Sequence, residues 1–103
     1  MKDLKYSIFL DIYGKLLKEN QYTVLDLYYN EDYSLFEIGE QLNITRQGVH
    51  ESIKKGEENL DRFEEKLEFY KKSVETDKKL DKILALTDDA EITKLLNELK
   101  AGE

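Results

Sequence analysis

From Val49 to Val74 the apolar residues of this chain fall alternately four and three apart: Val49, Ile53, Gly56, Leu60, Phe63, Leu67, Tyr70 and Val74. A β-strand, whose side chains alternate with period two, cannot gather such a series on one face. A helix can. The spacing predicts one long helix over about 45–75, with an a/d seam more than three heptads long. Charges fill the other positions in "KKGEENLDRFEEKLEFYKK", as a solvated outer face requires. The cover for the seam is either a second copy of the chain or the C-terminal segment folding back. In a dimer, Leu60, Phe63, Leu67, Tyr70 and Val74 would form the shared seam.

The same period runs through the rest of the chain. Leu4, Ile8, Ile12 and Leu16 stand four apart, with Phe9, Tyr13 and Leu17 one step on. This predicts a helix over 4–17 with a wide apolar face. A second helix, about 21–30, carries Tyr22, Leu25, Leu27, Tyr28 and Tyr29. Ser34 followed by Glu37 forms a capping box and opens a short helix over 35–42. Asn43 tolerates the left-handed conformation that ends a helix. Thr45 is a good N-cap for the long helix. Behind that helix, Asp77 is expected to cap a short helix with Leu80, Ile83 and Leu84. Thr87 or Asp88 is expected to start another, with Ile92, Leu95, Leu96 and Leu99. There is no Pro and there are only five Gly, too few turn residues for a loop-rich or all-β fold. The expected fold class is all-α: a domain over 1–56, then a long-helix extension with short C-terminal helices over 57–103 for packing or dimerisation.

The segment after Ser34 has a specific cadence. Counted from Leu35, the fifth residue is Gly39, where two helices are expected to cross closely. The ninth is Asn43, in the turn. Leu35, Ile38, Leu42, Ile44 and Val49 take the core positions. This is the helix-turn-helix pattern. Its second helix would present Gln47, His50, Glu51 and Lys54 to a major groove, with Arg46 and Lys55 at the flanks. Gln47 suits adenine and Glu51 suits cytosine N4. Arg46, Lys54 and Lys55 suit phosphates, as do the N–H groups at the helix start around Thr45. Charge opposes this reading. The chain has a formal net charge of −7, and only residues 45–72, with seven basic against seven acidic side chains, escape net acidity.

Other chemistry is thin. There is no Cys, so neither a disulfide framework nor a thiolate metal site, and a cytoplasmic protein is expected. The N-terminus lacks the pattern of a signal peptide. No apolar run approaches the roughly 20 residues that span a bilayer. His50 stands alone and is expected at the surface, without a metal. Glu57–Glu58 and Glu64–Glu65 are expected on the exposed face of the long helix, paired with Arg62 and Lys66. Tyr28, Tyr29 and Tyr33 are expected in the core rather than as stacking platforms. No catalytic residue, cofactor or small-molecule substrate is expected, and no enzyme.

"FEIGEQLNITRQGVHESI" resembles region four of bacterial sigma factors, and "LLKENQYTVLDLYYNEDYSLFEI" is similar to the helices that support that region. The run around "DLYYNEDYSL" and "ITRQGV", within about residues 8–67, looks like the YlxM-like family. That resemblance implies an all-helical, sigma-like helix-turn-helix without a wing. It also implies a gene beside those of the signal recognition particle and a regulatory role in protein targeting. Two departures stand out: Gly48 lies where sigma-like recognition helices carry basic residues, and Ser52 where an apolar residue is usual. The expected function is a nucleic-acid-binding regulator, its partners DNA or the RNA or protein of that particle, acting as a homodimer away from membranes. The alternative is a helix-turn-helix shape that docks a basic protein partner.

Overall fold

A computed structural model of the chain describes residues 2–100. Among these residues the fold is all-α, as expected. The order is α1 (Lys5–Tyr13), a 3-10 turn (Gly14–Leu16), α2 (Glu19–Tyr29), α3 (Leu35–Leu42), α4 (Arg46–Leu67), α5 (Phe69–Leu86) and α6 (Ala90–Lys100). No helix among them is long and apolar enough to cross a membrane.

The chain divides into two compact units between Glu68 and Phe69. Position 56, the boundary expected from sequence, lies inside α4. The long helix is a correction: it does not run from 45 to 75. Glu68 adopts a left-handed conformation (φ 55°), and its N–H caps the Glu64 carbonyl. Tyr70 and Val74 therefore belong to α5, and the seam is not one continuous stripe. A left-handed conformation costs a non-glycine residue about 1–2 kcal/mol, which glycine avoids. Glu68→Gly is thus expected to stabilise the first unit by about 1 kcal/mol in urea unfolding. Loss of stability instead would mean that the helix continues through this position, where glycine is unfavourable.

In the first unit, α4 packs against α1, α2 and α3. The core is built on Leu25, Ile38, Val49 and Leu60, all fully buried, with Phe9, Leu10 and Tyr13 from α1. The N-terminal helix is shorter than expected. It ends at Tyr13, where Gly14 lies against the Tyr22 ring; a Cβ there would stand 2.6 Å from Tyr22 Cε2. Its expected apolar face is rotated too. Leu4, Ile8, Ile12 and Leu16 remain exposed, while Phe9, Leu10 and Tyr13, one and two steps on, are buried.

The local capping chemistry follows the expectation. Ser34 Oγ accepts from the Glu37 N–H at 3.1 Å, and Glu37 Oε1 accepts from the Ser34 N–H at 2.9 Å. These bonds hold the Glu37 carboxyl below its ordinary pKa. Asn43 is left-handed (φ 57°). The reason for Gly39 differs from the one expected. It is the turn's own backbone that crowds it, since a Cβ would lie 2.8 Å from the Ile44 carbonyl oxygen. The close helix crossing occurs at Gly56, where a Cβ would meet Leu25 Cδ1 at 2.6 Å.

In the second unit, α5 and α6 pack on each other, burying Leu80 and Leu96. Asp77 lies within α5 rather than capping a separate helix. The start of α6 is set by Asp89, not by Thr87 or Asp88. Its Oδ1 accepts from the N–H groups of Glu91 (2.8 Å) and Ile92 (3.2 Å). Lys100 pairs with Asp81 across the hairpin.

Candidate nucleic-acid interface

Thr45, the N-cap, and the first three turns of α4 carry every contact residue expected from the sequence. Thr45 Oγ1 accepts from the Gly48 N–H at 3.0 Å, which caps the helix and fixes its start. Val49 and Ile53 point into the core. Helical periodicity then turns Gln47, Glu51, Lys54 and Lys55 outward. All four are exposed, as are Arg46 and His50 at the flank. Among the described residues, Arg46, Lys54 and Lys55 make no ion pair. Gln47 Nε2 donates to Glu51 Oε1 at 3.3 Å. That bond leaves Gln47 Oε1, its second amide hydrogen and Glu51 Oε2 for other partners.

Two grooves border this face on the α3 side. One, of about 280 Å³, runs beside Phe36, Gly39, Asn43, Ile44 and Arg46. The other, of about 620 Å³, lies between Leu35 and Arg46, Gln47 and His50. Phe36 is 64% exposed next to Arg46. It is a contact candidate that the sequence reading passed over. The available signal was its place off the Leu35–Ile38–Leu42 face. Gly48 and Ser52 line a third groove, with Val24, Leu42 and Ile44. The small and polar residues that depart from the sigma-like pattern thus sit at a groove wall rather than in the core.

The acidic residues of α4 are placed differently from the expectation. Glu57 and Glu64 are not on a fully solvated face. Three tyrosine hydroxyls reach across to a row of carboxylates on α4: Tyr6 to Asp61 Oδ2 (2.8 Å), Tyr13 to Glu64 Oε1 (2.5 Å), and Tyr29 to Glu57. Arg62 donates to Asn59, one turn back. Burial and then the carboxylate partner push the Tyr6 and Tyr29 hydroxyls well above the ordinary tyrosine pKa. A raised pKa on folding means the folded state holds protons that the unfolded state releases above about pH 10. The contribution of these tyrosines is therefore fully present below about pH 10, and stability is expected to fall with rising pH above it. Circular dichroism together with tyrosinate absorbance across this window checks the prediction. Tyrosine ionisation that leaves helicity intact would contradict it.

Residues 1–99 match the family described as "Putative helix-turn-helix protein, YlxM / p13 like". The chain belongs to this YlxM/p13-like family. Relatives named UPF0122 protein share it. One from Acetivibrio thermocellus is 59% identical over 61 residues, which are 59% of this chain and 52% of that protein. One from Desulforamulus reducens is 44% identical over 87 residues, or 84% and 74% of the two chains. One from Oceanobacillus iheyensis is 36% identical over 99 residues, or 96% and 94%. The α3–turn–α4 geometry agrees with the helix-turn-helix in that family's description.

Proposed function

We propose that the protein is a nucleic-acid-binding regulator that reads a duplex through α4. One observation carries this reading. The N-terminal turns of a Thr45-capped helix present Arg46, Gln47, His50, Glu51, Lys54 and Lys55 on one exposed side. Its three cations are unpaired among the described residues. Gln47 and Glu51 supply base-edge chemistry, and the cations supply phosphate contacts. The family resemblance supports a place for this activity in the cytoplasm, within the signal recognition particle system, with DNA or the particle's RNA or protein as partner. Action as a homodimer belongs to the same proposal, because two copies double the phosphate contacts. Within the expected seam, Leu60 is fully buried while Leu67 is 37% exposed. Leu67 and the exposed α1 row are among the apolar residues open to a second copy.

A second reading is favoured by the charge of −7 and by exposed Glu31, Asp32, Glu37 and Glu40 around α3. Here the same shape docks a basic protein partner, and charge complementarity governs the association rate. Lys54→Glu with Lys55→Glu separates the two. On the nucleic-acid reading the double variant loses duplex retention in a gel at low salt while its melting temperature is unchanged. Full retention by the double variant removes the contact assignment.

A further inference from the structure

Among the described helices, α4 is not the one with the largest excess of basic residues. Helix α5 carries Lys71, Lys72, Lys78, Lys79 and Lys82 against three acidic residues. Helical spacing places Lys72, Lys78, Lys79 and Lys82 within an arc of roughly 120° and along about 15 Å of axis. All four are exposed. None of the four is in an ion pair among the described residues. Leu80, buried where α5 packs on α6, lies on the other side of the helix. Asp77 and Asp81 fall on that other side too, and Asp81 is engaged by Lys100. Glu75 is the one carboxylate on the lysine arc.

Glu75 stands at favourable spacings from Lys72, Lys78 and Lys79, but the rest of this arrangement works against the helix that bears it. The first turn of α5 has no acidic residue and its last turn no basic one. The lysines at 71 and 72 therefore meet the positive end of the helix dipole, where anions are favoured. Lys78 and Lys82 stand four apart, a like-charge spacing that destabilises an isolated helix. A face shaped only for solubility would intersperse the signs. A face shaped for a polyanion would not.

We propose that the lysine face of α5 is a second nucleic-acid surface, gripping the phosphate backbone of duplex DNA. It rests on the reading of α4 as a nucleic-acid contact and adds its own phosphate contacts to it. The length of the array exceeds the roughly 12 Å width of a major groove, so its two ends can meet the phosphates of both bordering strands. Lysines without base-edge partners supply sequence-independent affinity, which the contact side of α4, with Arg46, Lys54 and Lys55, supplies poorly.

The test is fluorescence anisotropy of a labelled random-sequence DNA duplex, titrated with the full chain across a range of salt. Each phosphate contact adds about −0.9 to the slope of log affinity against log salt, so the four lysines of α5 predict a slope shallower by roughly 3–4 for Lys72→Gln with Lys78→Gln, Lys79→Gln and Lys82→Gln than for the wild type. Glu75→Gln, which removes the carboxylate from the arc, tightens binding. A fourfold variant that keeps its helicity and the wild-type slope overturns the inference and leaves the α4 reading standing. If that variant fails to fold, Glu75→Gln decides, and unchanged affinity overturns the inference. Failure of the wild type to bind at low salt removes the α4 reading, and this inference with it. Loss of binding to anionic vesicles in the fourfold variant, with the DNA slope unchanged, would assign the lysines to a membrane surface and also overturn it.

Discussion

Leu60→Asp is expected to unfold the first unit. Leu60 is fully buried on the face of α4 that packs into the core. Truncating a buried leucine costs about 2–5 kcal/mol. A carboxylate at the same place adds the penalty of burying a polar group without a partner. Glu57, Asp61 and Glu64 on the adjoining turns supply like charge. The total, at least about 4 kcal/mol, takes most of the stability of a small domain. At about 4–8 °C per kcal/mol the melting temperature should drop by at least about 15 °C. Leu67→Asp, at a half-exposed helix end, should leave the melting temperature nearly unchanged. If Leu67 helps to pair two copies, light scattering will show that variant at half the wild-type mass. A wild-type melting temperature for Leu60→Asp would contradict the core described above.

Gly39→Ala and Gly48→Ala are expected to act in opposite directions. Both glycines lie within helices, where alanine is intrinsically better by roughly 0.5–1 kcal/mol. At Gly48 the new methyl meets only the Thr45 hydroxyl, at 3.2 Å. That hydroxyl can yield slightly, so a gain of about 0.5 kcal/mol is expected. At Gly39 the methyl would sit 2.8 Å from the Ile44 carbonyl oxygen, which belongs to the backbone of the turn. The turn must open or the helix must shift, and overpacking of this kind costs about 1–3 kcal/mol. Because the turn sets the angle of α4, Gly39→Ala should also weaken duplex retention, whereas Gly48→Ala should not. Urea midpoints and gel retention of the two variants check both parts. A stabilised Gly39→Ala would mean that the turn does not close over this residue.

The features legible in the sequence were local ones. The Ser34–Glu37 box, left-handed Asn43 and the Thr45 cap each depend on residues within about one turn of one another, so their chemistry is visible in a short window. The exposed side of α4 was legible for the same reason, because Val49 and Ile53 fix which residues face away. The break at Glu68 was not. Glutamate carries no turn signal, and the apolar spacing from Leu67 to Tyr70 and Val74 runs through the break without a fault. The rotation of α1 was hidden because two overlapping apolar rows offered two faces, and packing against α4 chose between them. The tyrosine–carboxylate bonds join residues 28 to 55 positions apart, beyond any local pattern. Arg62 and Lys66 therefore looked like the natural partners of all four glutamates, while tertiary packing supplied tyrosine hydroxyls to Glu57 and Glu64 and left Glu58 and Glu65 exposed.

The most direct test of the central claim, that the exposed side of α4 contacts nucleic acid, is residue-resolved. Amide chemical shifts of the full, isotope-labelled chain would be followed as an unlabelled random-sequence DNA duplex is added at low salt. The account predicts that the largest shifts fall on Thr45, Arg46, Gln47, His50, Glu51, Lys54 and Lys55, while the row of Glu57, Asp61 and Glu64 stays unmoved. Shifts confined to the acidic residues of α3, or no shifts at all along α4, would contradict it.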